Sequence, residues 1–339
     1  MPDAASAPPG AGPEPSRAPL FGALDLGTNN CRLLIARPTR GGFRVVDAYS
    51  RIVRLGEGLT ASGRLQPAAM DRAVEALKVC AAKLNRRGVT TFRAVATQAC
   101  RAAENGPEFI DRVEAETGLR LEIIEPQEEA RLSVRGCANL LDRDHSSAII
   151  VDVGGGSTEV SWVQLNPSDG RRYRLAAWRS LPLGVVSLAE AFPEPETPSR
   201  AWFEAMVDHV RQALAPPPDL GRMAADFPDG RAHLIGSSGA VTSLAGLHLG
   251  LLRYDRNKVD GLWLTREDCT ATAERLLGMN LKERSAEPCI GPDRADLVLA
   301  GAAILEALQA DWPCPRVRVA DRGLREGLLL SQMYKRRGR

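Results

Sequence analysis

Lysine is close to absent: only five (Lys78, Lys83, Lys258, Lys282 and Lys335) contribute to the 44 basic residues, so arginine carries nearly all the positive charge. A guanidinium fork grips two oxygens of a phosphate at once, which suits polyanion recognition. The 339 residues contain no apolar run of the roughly 18 needed for a membrane-spanning helix. A formal net charge of only +2 speaks against a dedicated nucleic-acid binder, although basic residues can still converge on a cleft. Aromatics are scarce at 5%, and Tyr254 and Trp162 read as strand or core residues, which leaves no clear platform for a purine. The seven cysteines are dispersed without a CxxC or any metal-ligand spacing, the signature of reduced thiols in a cytoplasmic protein. Residues 1–18 are rich in Pro, Ala, Ser and Gly and lack a basic or apolar leader region, which predicts a disordered tail and no signal peptide.

The chain is long enough for two domains of ordinary size, and its 44% apolar content is normal for packed cores. The stretch that organises it runs from Ile149 to Trp162: β-branched residues lead into Asp152, then Gly154, Gly155 and Gly156 break the chain, and an alternation at Thr158, Val160 and Trp162 restarts a strand. Glycines in such a turn free the backbone for positive φ or for close approach of a ligand, and successive N–H groups there can form an anion-binding concavity. A plain hairpin turn between core strands would use the same residues. The pattern recurs, however. From Gly22 to Ile35 an apolar strand ends in Asp25-Leu26-Gly27-Thr28-Asn29, and a second strand with Arg32 follows. Two copies of one hairpin, each opening a segment of comparable length, predict a duplicated α/β unit with a phosphate- or nucleotide-binding cleft between the halves.

In chain order the first half reads β-β-β-α-β-α-β-α. Phe43–Val46 and Arg51–Leu55 are expected as strands, Pro67 opens a helix ended by Gly88, and Phe92–Thr97 is a strand whose end starts a short helix with Arg101. Pro107 opens another helix, and Pro126 a third that carries Glu128 and Glu129. The second half repeats the plan: a strand over 173–182, helices after Gly184 and over 199–215, and a third strand-to-glycine turn at Gly236-Ser237-Ser238-Gly239. That turn feeds a helix N-terminus, whose free N–H groups welcome phosphate. Pro292-Asp293-Arg294 is expected to open a helix to about Ala310, and Asp321–Gly327 starts the terminal one.

This arrangement resembles the superfamily of actin, the sugar kinases and the heat-shock chaperone ATPases. More closely, the segments resemble the exopolyphosphatase and guanosine pentaphosphate phosphatase family in its short two-domain form. The matching motifs are Asp25-Leu26-Gly27-Thr28-Asn29, Ala96-Thr97 with Arg101, Glu128-Glu129-Ala130-Arg131, Asp152 with Gly154-Gly155-Gly156-Ser157-Thr158-Glu159, Leu181-Pro182-Leu183-Gly184, Gly236-Ser237-Ser238-Gly239, Arg294-Ala295-Asp296, and Gly323-Leu324-Arg325-Glu326-Gly327. Cys31 and the Glu125-Pro126-Gln127 approach depart from the pattern without removing a catalytic group.

The resemblance implies duplicated actin/hexokinase-like (ribonuclease H-like) domains around a cleft, with residues 19–126 and 322–339 in one domain and 127–321 in the other. It implies Glu129 as general base, with Asp152 and Glu159 completing the catalytic set and Asp25, Asp152 and Glu159 holding Mg²⁺ mainly through waters. Phosphates would be held by Gly27, Thr28, Asn29, Arg32, Arg101, Gly154, Gly155, Gly156, Ser157, Ser238, Gly239 and Arg294. Only one of Glu128 and Glu129 can face the cleft from one helix. The expected activity is hydrolysis of the terminal phosphoanhydride bond of inorganic polyphosphate, with guanosine pentaphosphate as the alternative substrate and a kinase or ATPase of the same fold as the competing class. A second copy of the chain is a further candidate partner; nucleic acid and membrane are not expected.

Overall fold

The computed structural model describes residues 19–337 apart from 169 and 217, so the tail expected at 1–18 lies outside the described residues. Two mixed sheets share one plan. In the first, β1 (Phe21–Leu26), β2 (Asn30–Thr39) and β3 (Gly42–Ile52) form an antiparallel meander, and β4 (Thr91–Ala96) and β5 (Glu122–Ile123) extend it in parallel beyond β1. The order is β3-β2-β1-β4-β5. In the second, β6 (Ser147–Val153), β7 (Thr158–Leu165) and β8 (Tyr173–Leu181) repeat the meander, and β9 (Ala232–Ser237) and β11 (Arg316–Ala320) add in parallel. An extra edge strand, β10 (Trp263–Thr265), pairs antiparallel with β11, giving β10-β11-β9-β6-β7-β8. Apart from that edge strand the two orders coincide, which is the duplicated actin/hexokinase-like fold.

Each meander forms because its apolar strands are joined by short turns, and the parallel strands need crossover helices that then cover the faces. The helix Pro67–Arg86 starts at its proline and buries Val74, Leu77 and Leu84 against the first sheet. The helix Gly106–Thr117 stops at Gly118, whose left-handed φ of 68° closes its last turn. On the other face of the first sheet lies the terminal helix Leu324–Arg337, with Leu328 and Leu329 against Phe21, Ala23 and Leu34. The helix Pro126–Cys137 covers the second sheet, where Val134 and Cys137 meet Ile150, Val163 and Ile235. These two helices cross with backbones nearly touching. A Cβ on Gly136 would stand 1.9 Å from the Gly323 carbonyl oxygen, and one on Gly327 2.0 Å from that of Leu132.

Two local expectations change. The segment 51–55 is not a separate strand: β3 runs unbroken to Ile52, and the chain then leaves because Val53 and Arg54 both donate their N–H to the Asn29 carbonyl. The helix expected to open at Pro292-Asp293-Arg294 begins at Val298 and runs to Asp311; Leu297 and Val298 N–H both bond to the Arg294 carbonyl in a turn before it. The strand expected from Thr158 is β7, buried on both faces, because Val160 and Trp162 enter one core and Val163 and Leu165 another. No helix among the described residues is long and apolar enough to cross a membrane. The seven cysteines are buried free thiols.

Candidate active site

A cavity of about 560 Å³ lies where the two hairpin turns face each other. Strand pairing sets its polar groups. Asp25 sits opposite Arg32 across β1 and β2, and Asp152 sits opposite Glu159 across β6 and β7. The turn after β1 is closed by Gly27 N–H donating to the Asn30 carbonyl at 2.9 Å, and the turn after β6 by Gly154 N–H donating to that of Ser157 at 2.9 Å.

None of Gly154, Gly155 and Gly156 has a positive φ. Their necessity is steric. A Cβ on Gly155 would lie 3.0 Å from Thr28 Cβ and 3.1 Å from Asn29 N, and one on Gly156 would lie 2.7 Å from Thr28 Oγ1. The second turn is therefore glycine-rich because it packs directly on the first. It is held from behind by Val185 and Val186, whose N–H groups donate to the carbonyls of Gly154 and Gly155 at 3.0 and 2.8 Å. The third turn supplies a helix N-terminus, Gly239–His248, capped by Ser238, whose Oγ accepts from Ala240 and Val241 N–H. Ser238 has φ 139°, so it aims the turn at the cavity from a strained backbone.

The carboxylates are buried and crowded. Glu129 reaches the cavity from the first turn of the helix Pro126–Cys137 and is only 7% exposed. Burial first, then the charge of Glu159, pushes its carboxyl well above the ordinary glutamate range, while Arg101 pulls the other way. Glu159, 2% exposed, is pushed up to about 7 by burial and by Asp152. Asp25 is pushed up to about 6, mainly by burial, although Arg32 and Arg325 pull it down. Asp152 is raised by burial despite the Ser133 hydroxyl, which donates to its Oδ2 at 2.6 Å. The Ser180 hydroxyl donates to Glu159 Oε1 at 2.8 Å. Glu128 points away and pairs with Arg93 at 2.8 Å.

Asp25, Asp152 and Glu159 are hard oxygen donors facing one space, and the Asn29 side-chain oxygen beside them is buried without a partner. Among the described residues, no three acidic, His or Cys side chains stand close enough to cage an ion directly. The donor chemistry fits a divalent cation that keeps much of its water shell.

The cations divide into two kinds. Arg101 does not line the cavity: its guanidinium donates to the Ile124 carbonyl at 2.6 Å, to Gln98 Oε1 at 2.8 Å and to Glu129 Oε2 at 3.3 Å. It stands behind the glutamate and orients it. Arg32 and Arg294 do line the cavity and converge on Gly239, whose Cβ position would be 3.7 Å from Arg32 Nη2 and 3.6 Å from Arg294 Cζ. The remaining residues singled out from the sequence (Gly27, Thr28, Asn29, Ser157, Ser238) are in the cavity wall.

Sequence reasoning missed Ser133 and Ser180, whose hydroxyls are ordinary helix and strand residues until tertiary structure places them on a carboxylate. Tyr254 keeps the core role expected of it, packed against the second core, and also lines the cavity, with its hydroxyl donating to Asp321 Oδ2 at 2.8 Å. Arg325 and Glu326 line the cavity as well.

Two hairpin turns, a helix N-terminus, unpaired guanidinium groups and a buried glutamate around one space suit an enzyme of phosphoryl chemistry. Comparison with known proteins narrows this class. The model of the Ppx/GppA phosphatase family matches residues 34–336, and the chain belongs to that family. Exopolyphosphatase 2 of Mycobacterium tuberculosis is 30% identical over 327 residues, covering 91% of this chain and 97% of that protein. The crystal structure of the Aquifex aeolicus Ppx/GppA family member matches with a TM-score of 0.77 at 29% identity, covering 94% of this chain and 98% of that one. A crystal structure described as an exopolyphosphatase-like protein matches with a TM-score of 0.82 at 31% identity, covering 95% and 99%.

Proposed function

We propose that this chain is an exopolyphosphatase, which hydrolyses the terminal phosphoanhydride bond of inorganic polyphosphate and releases orthophosphate. The observation that carries the reading is the buried Glu129 carboxyl facing a cavity whose opposite side holds guanidinium groups and a helix N-terminus. A carboxyl raised by burial is a better proton acceptor than an exposed one once ionised, which is what a general base near neutral pH requires.

In this reading the terminal phosphate rests against the backbone N–H groups of the turns at Gly27–Asn29 and Gly154–Ser157. Glu129 takes a proton from a water whose oxygen attacks the terminal phosphorus. The bond from that phosphorus to the bridging oxygen breaks, and the shortened chain leaves as its anion. Arg101 holds Glu129 in place through the contact to Oε2. Arg32 and Arg294 neutralise the non-reacting phosphates near Gly239. Asp25, Asp152 and Glu159 would hold Mg²⁺ through waters, and when bound the ion supplies charge neutralisation across the phosphate oxygens. The chain divides into a domain of residues 19–126 with 322–339 and a domain of residues 127–321, a division supported by the terminal helix packing on the first sheet. We place its activity in the cytoplasm, in keeping with the reduced thiols.

The test offers long-chain polyphosphate, guanosine pentaphosphate and ATP side by side, with Mg²⁺ and then with a chelator. Polyphosphate should give the highest kcat/KM, releasing single phosphates, and the chelator should stop it. A higher kcat/KM on guanosine pentaphosphate would transfer the assignment to the nucleotide and give Tyr254 a base to pack on.

A further inference from the structure

Four arginines line the cavity, and among the described residues three of them, Arg32, Arg294 and Arg325, make no side-chain hydrogen bond or ion pair, while the fourth, Arg322, is paired with Asp260. Elsewhere in the chain arginines are spent on carboxylates in the same way, as Arg54, Arg200 and Arg284 are. Cations gathered in one partly buried space, with carboxylates near Arg32 but no direct ion pair on any of the three, are favoured when an anion completes them.

Their order follows from the elements that carry them. Arg294 and Arg32 flank Gly239 at the helix N-terminus. Arg32 also stands opposite Asp25 in the first hairpin, which makes it the middle member. Arg325 lies in the first turn of the terminal helix, two residues after Gly323, whose Cβ position would be 3.5 Å from Asp152 Oδ2. That turn is fixed, because Gly323 N–H donates to Glu326 Oε2 at 2.9 Å and Glu326 also meets Arg256 at 3.4 Å. Arg325 therefore starts from a rigid point beside the carboxylate set. Electrostatics agree with the order: Arg32 and Arg325 are the cations that act most on Asp25, and Arg325 and Arg294 are those that act most on Arg32.

We propose that Arg325, Arg32 and Arg294 form a ladder along which the phosphate chain lies, with Arg325 gripping the phosphoryl group being transferred and Arg294 a phosphate further along. This rests on the proposed function and adds to it a contact residue and a direction for the chain. A cation at the transferring group acts on the transition state and so on kcat, whereas one further along binds ground state and transition state alike and so acts on KM.

The experiment measures kcat, KM and thermal stability for Arg325→Ala, Arg325→Lys and Arg294→Ala on polyphosphate. Arg325→Ala should lower kcat by at least about 10²-fold, the scale of one lost charge-stabilising donor. Arg325→Lys keeps the charge without the fork and should recover part of that loss. Arg294→Ala should raise KM with kcat within a few-fold of wild type. Inorganic phosphate should raise the melting temperature of the wild type and raise it less in Arg325→Ala. Unchanged kcat in Arg325→Ala, or a KM effect there with a kcat effect at Arg294, would overturn the ladder. If Arg325→Ala does not fold, equal kcat of Arg325→Lys and wild type overturns it. Should wild type ignore polyphosphate, the substrate reading fails by itself. The ladder then stands or falls on the phosphate-induced stabilisation, where equal shifts in wild type and Arg325→Ala would refute it.

Discussion

The two hairpins share one backbone plan and differ in the residue facing the aspartate. Asp25 looks across at Arg32, Asp152 across at Glu159. One cross-strand pair sets opposite charges side by side, and Arg32 pulls down a carboxyl that burial raises; the other sets two carboxylates side by side, both raised by burial, with Asp152 adding to the rise at Glu159. On a duplicated scaffold, a single cross-strand position thus puts a guanidinium in one half where the other half has a carboxylate. Fold does not fix such roles; the side chains grafted on it do.

The harshest way to break the comparison is to remove the group that serves both halves. Glu129→Gln should lower kcat by about 10²–10⁴-fold, the range for a positioned base, while polyphosphate still binds. Stopped-turnover assays with a binding measurement would check it, and a larger loss in Glu128→Gln would move the role to that residue. Next, the halves can be set against each other. Glu159→Gln should raise the Mg²⁺ concentration needed for half-maximal rate by roughly tenfold or more, the lower scale for a disturbed metal environment. Arg32→Gln should instead raise KM for polyphosphate and flatten its dependence on salt, since screening weakens an arginine-bound polyanion. Identical phenotypes from the two would erase the distinction.

Glycine sharpens the contrast further. Gly155→Val should abolish phosphate release with secondary structure retained by circular dichroism, because any Cβ there drives into Thr28 and Asn29. Gly27→Ala, whose Cβ would meet nothing closer than 3.6 Å, should keep most of the activity. The smallest effect is on pH. Glu129 must be ionised to accept a proton and its pKa is raised, so activity should fall as pH drops through a value well above the ordinary glutamate range. Arg101 lowers that pKa, so Arg101→Ala should move the acid limb of the pH–rate profile to higher pH. A limb that stays put would detach Arg101 from Glu129.

Much of this was legible in the residues. Asp-to-glycine turns after apolar strands announced both hairpins, and Pro67, Pro126 and Gly118 marked helix ends, because each residue restricts the local backbone in a known way. What stayed hidden depends on direction across space. Five residues of turn around Arg101 do not say whether it enters the cavity or backs Glu129, and only the packed helix Pro126–Cys137 decides. Tyr254 reads as a core tyrosine and does pack on the core, but only tertiary structure brings Asp321, at the end of β11, to its hydroxyl and its ring to the cavity. The glycines of the second turn were expected, but the left-handed backbone that would explain them is absent and the neighbouring turn is the cause.

The glycine crossing of the helices Pro126–Cys137 and Leu324–Arg337 has a mechanical counterpart beside the cavity. There Arg54 pairs with Asp296 at 2.8 Å with side chains 35% and 39% exposed, and Glu190 Oε1 accepts from Gly58 N–H at 3.0 Å. An exposed pair of this kind contributes about 0–1 kcal/mol, a factor of roughly five at most in how often thermal motion parts it. The crossing instead sets buried backbone against buried backbone, with Leu132 packed among Leu324, Leu328 and Leu329 beside it, so parting it would expose polar and apolar groups together. One contact is thus held by exposed charge and the other by close-packed backbone, and the helices that carry Glu129 and Arg325 meet at the second.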